Sequence, residues 1–194
     1  MTGRKLVLLE HVSLDGYLAG PNGEMDWIRV EDQAMWDEVK ALTDAADTAV
    51  FGRTTYEMME SYWPTAGDAP GASQHDVDHS RWLNNSTVIV VSRTLESARW
   101  GAAGTARIVN DPTALRALKE QPGANMLLIG SASVARECNR LGLIDEYRIN
   151  VNPVLLGGGT PLFGPLATGR TLGLVGSRTF AGGVVGLHYA CLPV

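Results

Sequence analysis

Three short runs limit what this chain can become. Residues 48–51 read TAVF, residues 86–91 read STVIVV and residues 125–129 read NMLLI. Each is apolar through consecutive positions instead of alternating. A strand with one wet face alternates, so unbroken apolar runs of this length belong to strands covered on both faces, as in a parallel sheet packed between helices. Each run meets a turn at once, and in two of the three a helix-period pattern comes next, the rhythm of strand–helix–strand units.

The rest of the chain fits that rhythm. Leu6 to Val12 is a β-type run, succeeded by the turn-rich SLDGYLAGPNGEMDW. Glu31 to Ala46 places Ala34, Met35, Val39, Leu42 and Ala46 on one helix face. A helix is predicted over Thr54 to Tyr62, and the polar stretch PTAGDAPGASQHDVDH then leads to a short helix ending near Leu83. Thr105 to Val109 reads as a strand. Asp111-Pro112 opens a helix, with Asp111 as its N-cap and Pro112 in the first position. Ser131 to Leu141 is helical, and Asp145 to Leu156 is a long apolar segment. Leu172 to Phe180 and Val184 to Cys191, separated by AGG, form a hairpin. The expected fold is a single α/β domain over residues 1–194, a mixed, mostly parallel sheet flanked by helices with an antiparallel C-terminal edge.

Composition excludes several classes. A net charge of −5 argues against a general nucleic-acid binder, though not against a local basic pocket. Cys138 and Cys191 are the only cysteines, too few for a disulfide scaffold. The N-terminal apolar run, Leu6 to Leu9, is too short for a signal sequence, and no apolar span reaches membrane length. The expectation is a soluble cytoplasmic protein.

The turns after the three runs carry the functional signal. Gly52-Arg53-Thr54-Thr55 succeeds the first run, Ser92-Arg93-Thr94 the second and Gly130-Ser131-Ala132-Ser133 the third. If the strands are parallel neighbours, all three turns lie at the carboxyl edge, where open α/β sheets bind ligands. Glycine lets backbone N–H groups approach, helix starts carry free donors, and arginine pairs phosphate oxygens in a fork. The set suits a ligand with several phosphates, such as a dinucleotide. The plainer alternative is that each turn is a helix cap with an incidental solvated arginine. Neither GxGxxG nor GxxxxGK[ST] is present.

Together, SLDGYLAGPNGEMDW, VFGRTTYE, VVSRT, LLIGSASVARE and DEYRINVNPVLLGGGTPLF resemble the dihydrofolate-reductase-like superfamily. The closer branch is similar to the C-terminal reductase domain of bifunctional riboflavin-biosynthesis deaminase/reductase proteins. The resemblance implies an NADPH-dependent reductase. It assigns Gly52, Arg53, Thr54 and Thr55 to the pyrophosphate and adenosine-side phosphate, and Ser92 and Arg93 to the 2′-phosphate and adenine. Gly130, Ser131, Ala132 and Val134 match the second phosphate-binding helix start. Leu18 and Ala19 match the loop bordering the nicotinamide, and Trp27 matches a tryptophan closing over substrate. In dihydrofolate reductases an acidic residue shortly after that tryptophan holds the pterin. Here Asp32 takes that place, with Glu31 and Asp37 as close alternatives. No arginine is clearly placed for a folate tail, and the GGG of VLLGGGTPLF fits the riboflavin-type branch better.

Hydride transfer asks little of a protein beyond placement and exclusion of water, but a proton donor is often needed. Asp32 and His11 are the catalytic candidates, with Asp15 and Glu10 nearby; Asp15 also suits bracing its own turn. His75 and His79 sit at i and i+4, a spacing that suggests a metal, yet no third ligand accompanies them, and a structural or surface role is expected. No GxSxG elbow or cysteine–histidine constellation points to a hydrolase. The expected function is an NADPH-dependent reductase of a small pterin-like, aminopyrimidine-like or carbonyl substrate. The alternative is a non-catalytic nucleotide-binding or self-associating module of the same fold. The apolar VNPVLLGGGTPLFGPL and the final strands suggest a homodimer.

Overall fold

The three apolar runs become adjacent strands. The computed structural model describes residues 3–30, 32–102, 104–166 and 169–192. Within it, β3 (Ala46–Gly52) pairs in parallel with β7 (Asn125–Ile129) on one side and with β4 (Thr87–Val91) on the other. β1 (Leu6–Ser13) joins β7 in parallel and is itself parallel to β8 (Glu146–Asn152). β10 (Leu172–Thr179) and β11 (Val185–Cys191) form the antiparallel hairpin, with β11 lying against β8. At the opposite edge, β6 (Gly104–Val109) is parallel to β4, and β5 (Arg99–Trp100) is antiparallel to β6. The order is therefore β10-β11-β8-β1-β7-β3-β4-β6-β5. A second small sheet pairs β2 (Tyr17–Ala19) with β9 (Thr160–Pro161).

Side-chain alternation assigns the layers. Ala49 and Phe51 face α2 (Arg53–Ala66) and α3 (Gln74–Asn85), packing with Tyr56, Met59 and Leu83. Val50, Leu6, Leu8, Met126 and Leu128 face the other way, onto α4 (Ala114–Lys119) and α5 (Ala132–Arg140). α1 (Gln33–Asp44) shares the α2–α3 side, where Leu42 packs near Val7 and Leu127. Among the described residues, no helix is long and apolar enough to cross a membrane.

Several boundaries differ from the sequence reading, each for a local reason. α1 begins at Gln33 because Asp32 caps it; Glu31, a close alternative to Asp32, lies outside the described residues. α2 continues through Pro64 to Ala66 because α3 satisfies its late carbonyls: Ser80 Oγ donates to Trp63 O at 2.7 Å and Asn84 Nδ2 to Pro64 O at 3.0 Å. α3 is a full helix, started by a capping box between Ser73 and Asp76. Asp111 does not cap α4; its Oδ1 accepts from Thr113 N at 2.8 Å, and this local turn delays the helix to Ala114. β8 stops at Asn152, where Pro153 removes the next ladder donor, well short of Leu156.

Candidate functional site

Because β7, β3 and β4 run parallel, Gly130, Gly52 and Ser92 lie at one edge of the sheet. β1 and β8 end there too, with His11 opposite Asn150 and Ser13 opposite Asn152. Three helices start at this edge without a side-chain cap: α2 and α5 directly after the turns at Gly52 and Ser131, and the short α4 after the Asp111 turn. By contrast, Asp32 caps α1 and Ser73 caps α3. Ser92 Oγ caps its own turn, accepting from Thr94 N at 3.2 Å and Leu95 N at 3.1 Å, but the Ser131 hydroxyl does something else. Ser131 Oγ accepts from Gly52 N at 2.7 Å and donates to Ile129 O at 3.3 Å, tying the two turns together. The first-turn amides of α2 and α5 thus keep their donors and partial positive charge for a ligand.

Both turns are shaped closely. A Cβ on Gly52 would meet Val134 Cγ2 at 3.0 Å, and one on Gly130 would meet Thr55 Cγ2 at 2.9 Å. Gly130 has φ +60 and Ser131 has φ 70, the one non-glycine in the left-handed region among the described residues. Such a conformation costs on the order of 1 kcal/mol or more and clusters at ligand clamps. The arginines converge on the remaining turn. Arg53 Nη1 donates to Thr94 Oγ1 at 3.2 Å, while Arg93 lies 3.7 Å from Asp111 and is 78% exposed. Arg53 also pairs Glu57 at 2.8 Å. Exposed pairs of this kind hold their partners weakly, so a phosphate can take either guanidinium.

The other end of the edge is built by β1, β8 and the loop before α1. His11 is half-buried, its Nε2 3.4 Å from Asn150 Nδ2 and its Nδ1 buried without a partner. Burial pushes its pKa down to about 4, so the ring is neutral at physiological pH. Asn152 accepts from Arg29 N at 2.9 Å, anchoring the loop that carries Trp27, whose indole N–H donates to Glu24 O. Asp32 spends both oxygens on backbone, one on Ala34 N at 2.8 Å and one on Ala181 N of the β10–β11 turn. These bonds, Ala181's first, hold its carboxyl below the usual range. It clasps α1 to the hairpin and carries no proton to give at neutral pH. Asp15 accepts from Ser13 Oγ, Leu156 N and Gly157 N, fastening the loop before β2 to the GGG loop. Leu18 and Ala19 lie in β2, beside β9. Glu10 is 4% exposed, and burial raises its pKa well above 4.5, with the Gly130 backbone bond opposing. Its Oε1 is buried without a hydrogen-bond partner.

The family model of the RibD C-terminal domain matches residues 4–186. The chain belongs to the RibD C-terminal domain family. Two uncharacterised Bacillus subtilis proteins are similar along their length: YyaP at 32% identity, covering 96% of this chain and 94% of that protein, and YwjB at 31%, covering 96% and 97%. Among solved structures, a Shewanella protein whose name ties it to riboflavin biosynthesis superposes with a TM-score of 0.75 at 25% identity, covering 97% of this chain and 99% of that one. A pyrimidine reductase-like protein of Corynebacterium diphtheriae shares the fold, with a TM-score of 0.67 at 15% identity over 98% and 93%. The RibD C-terminal family places the chain on the dihydrofolate-reductase-like fold, as its mixed sheet with an antiparallel edge indicates.

The structure brings the predicted phosphate-side residues of this RibD-type domain to one edge and adds Thr94, which receives Arg53. It also brings in Asn150 and Asn152, from a segment expected to be apolar throughout. EYRINVN in fact alternates, with Tyr147 and Ile149 in the core and Arg148, Asn150 and Asn152 on the opposite face. His75 and His79 lie elsewhere, on α3, with His75 stacked on Trp36 of α1 at 3.6 Å. Among the described residues, no group of three or more His, Cys, Asp or Glu side chains is arranged to hold a metal.

Proposed function

We propose that this chain is an NADPH-dependent reductase delivering hydride to a small heterocyclic or carbonyl substrate. The observation that carries the reading is the pair of uncapped helix starts, joined through Ser131 and flanked by Arg53 and Arg93. Glycines that let the two turns pack closely, with no room for a Cβ between them, and a left-handed Ser131 are compatible with a phosphorylated ligand. In this reading the first-turn amides of α2 and α5, with Thr54, Thr55, Ala132 and Val134, hold the pyrophosphate. Ser92 and Arg93 hold the 2′-phosphate, and Leu18 and Ala19 border the nicotinamide. When bound, the reduced nicotinamide supplies the hydride. The chain's own residues bind, orient and exclude water. His11, neutral, offers a hydrogen bond at the substrate end, Asp32 positions the start of α1, and Trp27 covers that end. Family membership and the Shewanella neighbour's name support a heterocyclic substrate. Free thiols on Cys138 and Cys191 suit the reducing cytoplasm.

Tryptophan-fluorescence titration with NADPH and NADH tests the reading. NADPH should bind saturably at micromolar concentration. Arg53→Ala and Arg93→Ala should each weaken it roughly ten- to hundred-fold, as expected for a lost charge-assisted contact. Arg93→Ala should reduce the preference over NADH most. Absence of NADPH binding by the parent protein, or parent-like affinity in both variants, would overturn it.

We further propose a homodimer. β10 is an eight-residue edge strand with Leu174 60% and Val175 58% exposed, and an uncovered apolar edge invites pairing with a second copy. Light scattering should give twice the 20.8 kDa chain mass, and a charged substitution at Val175 should shift it toward monomer. A monomer in the parent protein excludes the dimer.

A further inference from the structure

β4 and β6 carry opposite charges just past their last paired residues. The two strands are parallel and in register at Val91 and Val109, and Ser92 N donates to Val109 O at 2.9 Å. Two residues beyond that pair, on the two chains respectively, stand Arg93 and Asp111. Register therefore sets a carboxylate beside the guanidinium to which the proposed function gives the 2′-phosphate.

Asp111 is fixed there by its own turn. Its Oδ1 accepts from Thr113 N at 2.8 Å, and Thr113, ahead of the Arg93 charge, holds the carboxyl below its usual range. Its Oδ2 is left toward Arg93, 3.7 Å from Nη2, too far for a hydrogen bond. The two side chains are 78% and 48% exposed, so the pair adds little stability and leaves the arginine's donors unused. The nearest charges on α5 do not alter this balance, because Glu137 takes Arg140 through two bonds, at 2.8 and 2.6 Å. The effect of Asp111 thus falls on the next charge to arrive at Arg93. Doubly wound nucleotide sites place an acid near the ribose for a 2′-hydroxyl, or an arginine for a 2′-phosphate. This edge has one of each. The guanidinium attracts a phosphate, while the carboxylate repels it and accepts from a hydroxyl.

We propose that Asp111 is a specificity-determining residue of the nucleotide site: its carboxylate opposes the 2′-phosphate of NADPH and tolerates the 2′-hydroxyl of NADH, holding the preference between them below what Arg93 alone would give. This deepens the reductase reading and rests on it for the ligand. The repulsive element is built into the seat beside the attractive one.

Fluorescence titration with NADPH and NADH, and calorimetry with adenosine 2′,5′-bisphosphate and adenosine 5′-monophosphate, test this in the parent protein, Asp111→Asn and Asp111→Glu. Asparagine keeps an oxygen for Thr113 N, so the turn and the melting temperature should stay as in the parent. At low salt Asp111→Asn should bind NADPH and the bisphosphate roughly three- to ten-fold tighter, and NADH and the monophosphate no tighter. That gain is opposite in sign to the loss expected of Arg93→Ala. It should shrink at about 1 M salt, where charges are screened beyond roughly 3 Å. Asp111→Glu keeps the charge and should stay close to the parent. Unchanged or weaker NADPH binding in Asp111→Asn, or an equal gain for NADH, overturns the inference and leaves the nucleotide site in place. A parent protein that binds neither NADPH nor the bisphosphate removes the reductase reading and the inference together.

Discussion

Gly130→Val is expected to abolish nucleotide binding and to destabilise the fold at once. Gly130 has φ +60, which a β-branched residue adopts only under strain, and its Cβ would press against Thr55 Cγ2 at 2.9 Å. Thr55 lies in the first turn of α2, so relief of the clash pushes apart the two helix starts that Ser131 and Gly52 hold together. The cost in stability should be roughly 2–4 kcal/mol from strain and overpacking. NADPH affinity should fall by more than either arginine variant loses, because backbone geometry changes at both of the proposed phosphate-binding turns. Gly16→Ala is a useful contrast: it shares a positive φ, at +86, but nothing lies within 4 Å of its added methyl. That change should carry the strain penalty alone and leave NADPH affinity near the parent value. Chemical denaturation and fluorescence titration measure both effects; a Gly130→Val protein that binds NADPH normally would show that the two turns do not share a ligand.

The second large effect is acid lability centred on His79. The ring is 7% exposed and packed against Trp63 at 4.4 Å, His75 at 5.3 Å and Trp82 at 5.4 Å. Burial, reinforced by His75 and opposed by Asp76, pushes its pKa from 6.5 down to about 3. An unfolded chain therefore binds a proton between these values that the folded protein refuses. The contribution is fully present above pH 6.5 and is lost as the pH falls through about 3. It amounts to about 5 kcal/mol over that whole range. His11, with a pKa of about 4, acts in the same direction over a narrower window. Denaturation at pH 7, 5.5 and 4 should show falling stability in the parent protein, and His79→Phe should flatten much of the slope. His79 Nδ1 has no partner to lose, which makes phenylalanine a fair replacement. Equal stability at pH 7 and 4 in the parent would contradict this account.

The parallel core was legible because burial on both faces leaves a local mark: TAVF, STVIVV and NMLLI contain no alternation to disguise. The meeting of the three turns at one edge was legible for a related reason, since strand and turn succeed one another directly in sequence. The features that escaped notice depend on contacts distant along the chain. β2 and β9 are three and two residues long and pair across most of the sequence, so neither has a periodicity to detect. Asn150 gains meaning only from its register with His11. The α3 capping box was in plain view, as Ser73 and Asp76, but a glycine- and proline-rich approach made the segment look like a loop. Asp32 looked like a free catalytic carboxylate because its second partner, Ala181, is 149 residues away.

The claim on which the rest depends is that the turns after β3, β4 and β7 bind one phosphorylated nucleotide. Amide proton–nitrogen correlation spectra recorded during titration with NADPH test it at the residues concerned. The expected result is saturable shifts at the amides of Gly52, Thr54, Thr55, Gly130, Ser131 and Ala132, with shifts at Ser92 and Arg93 that are much smaller for NADH. Shifts confined to other parts of the sheet, or none at millimolar NADPH, would contradict the account.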